Sequence, residues 1–412
     1  MPNRGGRFRP DAPIQHIAAI IASAVSLAIA MGIGRFVFTS LLPVMISDGM
    51  VDLRFGGHLA MANYIGYLAG AMLCIWLPRG WSSATIVRWG LVVVVGLTAG
   101  MIVPSKLVWL LLRFLSGVAS AVVLVHTSRW CLMILAGLGK PALGSLMFAG
   151  VGLGIALSGL IASAMIGADW GSAAAWAGFS MVGAILLTSI WRFFHPSHEA
   201  ALLGPVHHED IRGASGSNAE MVIFSLAYGF AGFGYIITAT FLPVIARTSL
   251  PSSHWLDLFW PVFGMAAALG SIIAAATHSA SVVRRMLIAC HLLQAVGVVA
   301  AVFWPTVPGF LIGSILAGIP FTAINYFSMQ EVRRLRPMHA ARYMGILTAL
   351  YGIGQISGPS LVTEILRFTP DRRIGFDFSL EIAGAVLAMG AVLYFFMELK
   401  WPVVESRRCY AK

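Results

Sequence analysis

Apolar residues run in long uninterrupted blocks along this chain, and short polar or basic segments divide them. Blocks long enough to cross a bilayer fall near residues 14–46, 55–78, 84–103, 106–132, 141–167 and 172–194. A second set falls near 220–246, 255–277, 285–304, 307–329, 339–366 and 376–397. A spanning helix needs about 20 mainly apolar residues, so the pattern predicts twelve transmembrane helices. Residues 195–219 carry His, Glu, Asp, Gly and Ser without an apolar period and read as a solvated linker. The predicted fold is therefore all-α and membrane-embedded. It has a tail over 1–13, a six-helix bundle over 14–194, the linker over 195–219, a second bundle over 220–397 and a tail over 398–412. Arg4, Arg7 and Arg9 before an apolar run, with Ala28-Ile29-Ala30, imitate a cleavable export signal. The run continues to Ile46, which makes it the first span.

The two sets of blocks are copies. Gly32-Ile33-Gly34-Arg35 and Leu42-Pro43-Val44 recur 200 residues later as Gly232-Phe233-Gly234-Tyr235 and Leu242-Pro243-Val244. Gly70 matches Gly270 at the same offset, and Gly152 and Gly154 match Gly352 and Gly354. Six helices repeated in the same orientation form a parallel repeat.

Composition agrees with a lipid environment. Of 412 residues, 58% are hydrophobic and only 10% charged, whereas a soluble domain carries roughly 25% charged residues. The net charge of +11 invites a nucleic-acid reading, but the basic residues stand singly or in pairs between apolar blocks. With both termini cytoplasmic, nineteen Lys and Arg fall on the inner side and six on the outer, leaving Arg35 and Arg113 within spans. Basic loops resist translocation, so the expected topology is multi-pass with both ends in the cytoplasm. Cys74, Cys131, Cys290 and Cys409 have no CxxC spacing, and His207-His208-Glu209-Asp210 sits on the linker, so no metal site, disulfide framework or cofactor is expected.

Several segments carry motifs. The fourth span reads Leu112-Arg113-Phe114-Leu115-Ser116-Gly117, an Arg four residues before Gly in a small-residue run. The fifth contains Gly150-Val151-Gly152-Leu153-Gly154 and Ser158-Gly159, and the eleventh reads Gly352-Ile353-Gly354-Gln355-Ile356-Ser357-Gly358-Pro359. These resemble the fourth- and fifth-helix motifs of the major facilitator superfamily. The fifth span lacks the Gly-Pro pair, and of the second-to-third loop motif only Arg79, Gly80 and Arg88 remain. Together with Gly32-Ile33-Gly34-Arg35-Phe36 and Ala62-Asn63-Tyr64-Ile65-Gly66-Tyr67, the chain resembles the bacterial YbfB-like branch over residues 14–397. The resemblance implies a monomeric transporter in a bacterial inner membrane, working by alternating access, with spans one and four lining a central cavity.

Charge inside a span is expensive, and such residues face a cavity or a partner. Arg35 and Arg113 lie in neighbouring layers, so either they form a forked anion site or each caps backbone carbonyls or a carboxylate. Asn63 and Tyr67, four apart on one face, either hold the uncharged part of a substrate or bond between helices, and Tyr64 lies off that face. Tyr235 and Gln355 are the second-half candidates. Glycines four apart (Gly66 and Gly70, Gly150 and Gly154, Gly354 and Gly358) permit close helix packing. In the fifth and eleventh spans they, with Pro359, either pack statically or let the halves rock. Glu364 and Glu381 read as the only carboxylates near the membrane portions of the second half, toward the outer ends of spans eleven and twelve. Glu364 and His126 are the candidates for proton coupling, with His291 sharing His126's ambiguity.

Three functions compete: a secondary transporter of a small anionic or zwitterionic solute, a non-transporting sensor or lipid-handling protein on the same fold, and a membrane-embedded enzyme. The spans hold no HExxH, paired Asp or GxSxG, and the chain has no GxxxxGK[ST] loop, which disfavours catalysis and ATP-driven transport.

Overall fold

A computed structural model describes residues 12–76, 81–194, 217–250, 255, 258–277, 282–336 and 340–403. Arg79, Gly80, His207-His208-Glu209-Asp210 and most of the expected linker and tails lie outside the described residues. Twelve helices and no strand occur among those described. Helix α1 runs as Ala12–Leu27, a π-helical stretch Ala28–Phe36, and Val37–Ser47. Next come α2 (Leu53–Trp76), α3 (Ser83–Gly100), α4 (Lys106–Gly137), α5 (a 3₁₀ entry Pro141–Phe148, then Ala149–Gly167) and α6 (Ser172–Ile190). The second half comprises α7 (Asn218–Ser249), α8 (Phe259–Ala275), α9 (Val283–Phe303), α10 (Val307–Leu335), α11 (Ala340–Phe368) and α12 (Arg372–Lys400). Ten of these are long and apolar enough to cross a membrane; α8, at 17 residues, is a shorter apolar helix. We call the face holding the start of α1 and the end of α12 the terminal face, and its opposite the far face.

The perimeter is apolar. Leu107, Leu111 and Leu115 stand on one stripe of α4 and are exposed, as are Met265, Leu269 and Ile272 on α8. A water-soluble monomer does not leave such contiguous patches bare; in a bilayer they meet acyl chains. Packing inside each half relies on missing side chains. A Cβ on Gly66 would fall 1.9 Å from the Phe114 carbonyl oxygen, and one on Gly117 would fall 2.0 Å from that of Asn63. The α2–α4 pair therefore closes backbone against backbone, the small-residue mode of membrane helices.

The halves meet along two seams, α5 against α8 and α2 against α11, which the repeat interconverts. The first seam is the tighter. A Cβ on Gly152 would sit 2.3 Å from the Ala268 nitrogen, and one on Gly264 would sit 2.4 Å from the Ala156 nitrogen. Between the seams, Thr39 donates to the carbonyl of Ala239 at 2.6 Å. These two positions are equivalent under the sequence repeat, so the pseudo-two-fold axis passes between them.

The glycines singled out in the sequence lie against helices of their own half, in the packing role of the two weighed for them. Gly150 presses on Ala24 and Gly154 on Ala28 and Gly32, all on α1, while Gly354 and Gly358 press on Gly229, Phe233 and Ile236 of α7. With Gly66 and Gly70, they fasten helices within a half. The faces that cross between halves carry Gly152 and Gly264, shifted by half a turn. Pro359 begins the last third of α11.

A charged cluster pins the terminal face of the second half. Arg284, fully buried at the start of α9, donates to Glu331 of α10 at 2.6 Å and to Glu220 of α7. It also reaches the carbonyls of Met397 and Trp401, at 3.1 and 2.5 Å, after which α12 ends. Arg334 adds a second cation, 2.7 Å from Glu331 and 3.6 Å from Glu220. Glu220 is also the acidic arm of a capping box with Ser217 that starts α7. Glu220 and Glu331 correct the expectation that Glu364 and Glu381 are the only carboxylates near these spans. The repeat equivalents in the first half are Ile20, Ala84, Cys131 and Ile134, so the cluster has no counterpart there.

Candidate functional site

The site is assembled on the π-helical stretch of α1. Its wider winding, seen in the Val37 N–H bonding to the Gly32 carbonyl, turns carbonyl groups outward from the helix. Helix α4 collects them with side chains placed along one face. Ser120 donates to Ala30 O at 2.7 Å, and Ser116 donates to Gly34 O at 2.6 Å. The fork of Arg113 reaches Gly34 O and Arg35 O, both at 3.2 Å, and its guanidinium lies 4.6 Å from the centre of the Phe38 ring. Of the two roles weighed for Arg113, the geometry shows the carbonyl cap: its fork is spent on backbone, and the two arginines do not form a paired clamp.

Arg35 sits where this stretch ends and points into the seam between the halves. It is 2% exposed, its Nη2 donates to the side-chain oxygen of Gln355 on α11, and its Nε has no hydrogen-bond partner. Its guanidinium lies 4.2 Å from the centre of the Tyr67 ring and 4.9 Å from that of Tyr64. Ring faces carry negative potential and hold a buried cation. No described carboxylate pairs with it.

Across the seam, Tyr351 stacks on Tyr228 (centroids 4.8 Å apart, planes 28° apart) and on Tyr235 (5.6 Å, 21°). Tyr235 leans on Phe321, which reaches back to Phe36 beside Arg35 at 5.9 Å. The Tyr64 hydroxyl bonds to Thr240 at 2.8 Å, and Tyr228 donates to Asn325 at 2.5 Å.

Arg35, Tyr67, Tyr235 and Gln355 thus come together, while Asn63 does not join them. Its amide donates to the Arg113 carbonyl at 2.9 Å, on the face of α2 that also carries Gly66 and Gly70 against α4. Tyr64, read as lying off the useful face, instead touches Arg35, because α2 turns residues 64 and 67 toward the centre. Tyr228 and Tyr351 were missed; a Tyr seven residues before Tyr235 and another four before Gln355 were the available signals. The coupling candidates lie elsewhere. Glu364 is 60% exposed and 3.8 Å from Arg367. His126 is buried 3.4 Å from Ser83, thirteen residues beyond Arg113 on α4, or about 20 Å along the axis. His291 rests on the carbonyls of Leu287 and Ala227 in the second half. No cluster suited to a metal ion occurs among the described residues.

Two six-helix bundles, joined by paired seams around a buried polar centre, define a membrane transporter of the major facilitator type. A family model described as "Uncharacterised MFS-type transporter YbfB" matches residues 27–395, and the chain belongs to that family. Among solved structures, the nucleoside transporter NupG, in a mutant form, superposes with a TM-score of 0.67 at 15% identity, covering 93% of this chain and 99% of that one. The human organic anion transporter MFSD10 (TETRAN) gives 0.62 at 15% identity, covering 92% and 99%. No curated protein sequence matches.

Proposed function

We propose that this protein is a secondary transporter that moves a small anionic solute across a bacterial inner membrane by alternating access, with Arg35 as the anion-binding group. The observation that carries this reading is the state of Arg35: a buried guanidinium on the seam, with no carboxylate beside it among the described residues, one donor bonded to a neutral amide and another unpartnered. A cation so placed is stabilised by an incoming anion. The sequence puts 15 of the 16 carboxylates at or near helix ends or in connections, and Glu381, within α12, is exposed, so no carboxylate described at the centre pairs with an ammonium group. That narrows the solute from anionic or zwitterionic to anionic. Transport draws on the solute's own gradient, on exchange, or on a proton carried with the solute.

The excess of basic residues on the terminal face supports placing that face in the cytoplasm. Among the described residues, the hydrogen bonds across the seam run from Arg35–Gln355 through Thr39–Ala239, Tyr64–Thr240 and Ser360–Met61, all at or beyond the Arg35 level toward the far face. This supports a conformer shut toward the outside, with both halves of the site supplied by one copy of the chain.

The test is a thermal-shift screen of purified protein against anionic, zwitterionic and cationic metabolites, followed by uptake of hits into proteoliposomes. Anions should stabilise the protein, and Arg35→Ala should remove both stabilisation and uptake while leaving expression intact. A cationic hit that survives the substitution would overturn the assignment, and product formation in detergent would indicate an enzyme.

A further inference from the structure

The geometry points to a narrower solute class: a planar aromatic monocarboxylate, its carboxylate on Arg35 and its ring against the tyrosine stack of the second half. The inference rests on Arg35 being the solute site, as proposed above, and adds what the rest of that site selects.

Charge sets the headgroup. Two guanidiniums lie in this layer, but Arg113 spends its fork on the carbonyls of Gly34 and Arg35. One guanidinium edge facing the seam remains, so the site pairs with one carboxylate, and a second would stay buried and unpaired. The free directions of Arg35 suit a carboxylate. Nη2 now donates to the amide oxygen of Gln355, and the adjacent Nε has no partner although the residue is 2% exposed. Those two nitrogens form one edge of the guanidinium, which a carboxylate engages through two parallel bonds. Binding then replaces a single neutral acceptor with a charged, two-point one.

The rings set the body. Tyr228, Tyr351 and Tyr235 form a ladder with successive planes 28° and 21° apart. Tyr351 is the middle ring, so the face left for a ligand is the outer one of Tyr228, which Tyr351 backs, and offset stacking there favours a flat ligand over a puckered one of equal size. The ladder is tied to Arg35 by the helix that also supplies Gln355: Tyr351 precedes it by four residues, so both project from one face of α11. A ligand held at Arg35 therefore lies beside the ladder. Tyr228 and Tyr351 keep 7% and 8% exposure against 2% for Tyr235, so the stack is more open at the end nearer the terminal face.

The experiment measures binding to the purified full-length protein by thermal shift and calorimetry. Its probes are benzoate, cyclohexanecarboxylate (equal charge, similar size, puckered ring), benzamide (flat ring, no charge) and terephthalate (flat ring, two charges). Benzoate should bind most tightly, cyclohexanecarboxylate about three- to tenfold more weakly, and the other two not measurably. Tyr351→Leu should bring benzoate down to the level of cyclohexanecarboxylate, whereas Tyr351→Phe, which keeps the ring, should preserve the preference. Arg35→Ala should abolish binding of both carboxylates. Equal binding of the two in the unmodified protein, or a benzoate preference that survives Tyr351→Leu, would overturn the aromatic class while leaving Arg35 as an anion site. Loss of the preference in Tyr351→Phe would also overturn it, since the hydroxyl would then be the selector. Failure of benzoate to bind at any soluble concentration overturns the class outright. Binding of benzamide that persists in Arg35→Ala overturns the anion reading as well.

Discussion

Replacing Arg284 with methionine isolates the charged cluster that holds the second half together. The side chain is fully buried and joins four helices through Glu331, Glu220 and the carbonyls of Met397 and Trp401. Removing one member of a buried ionic group costs about 3–5 kcal/mol, because the surviving charge is stranded away from water. Here the loss should fall at the lower bound, about 3 kcal/mol, because Arg334 stays 2.7 Å from Glu331 and 3.6 Å from Glu220 and shields both. At roughly 2–4 °C per kcal/mol for a unit of this size, the apparent Tm should drop by about 6–12 °C. A thiol-reactive dye can follow unfolding, since Cys131 is buried in the folded protein. The accompanying control is a triple variant, Arg284→Met with Glu220→Gln and Glu331→Gln, which removes the stranded charges and should recover at least half of the loss. If the triple variant is no more stable than the single one, the penalty comes from lost packing and carbonyl caps, and the electrostatic account is refuted.

Two further outcomes follow from the seam and the π-helical stretch. Gly152→Ala drives a methyl group into the α8 backbone, 2.3 Å from the Ala268 nitrogen. It should cost about 1–3 kcal/mol and abolish proteoliposome uptake, while Gly96→Ala, with nothing within 4 Å, should leave both unchanged. Arg113→Lys keeps the charge but loses the fork that spans two carbonyls, so uptake should fall sharply and stability by about 1.5–3 kcal/mol; full uptake in this variant would show that charge alone suffices.

The sequence disclosed the spans because lipid demands an unbroken apolar stretch, and it disclosed the duplication because glycine and proline positions survive at a fixed offset. Arg35 stood out for the same energetic reason: a charge in a span needs a purpose. Tyr228 and Tyr351 did not, because a tyrosine in an apolar block has the same composition whether it faces lipid or the centre. Only the rotation of α7 and α11 separates those cases. Arg284, Glu220 and Glu331 were illegible for a different reason. Each lies near a helix end and counts as an ordinary loop charge until the fold brings three distant segments together. The winding of α1 was also hidden, since a shift from α to π spacing changes hydrogen-bond partners without changing residue types. Arg113 was legible as a buried charge, but its use depended on that winding.

The same winding has a kinetic corollary. Gly32 and Pro43 are separated by the same number of residues as Gly232 and Pro243, yet α1 is π-wound over Ala28–Phe36 while α7 is α-helical throughout. Exchanging the roles of the halves therefore does not map the molecule onto itself. The axis relating the halves runs along the membrane normal, so the difference sets one bundle against the other rather than one compartment against the other. Under the proposed alternating-access cycle the two bundles therefore bend over unequal barriers, and the slower of them sets the pace for both.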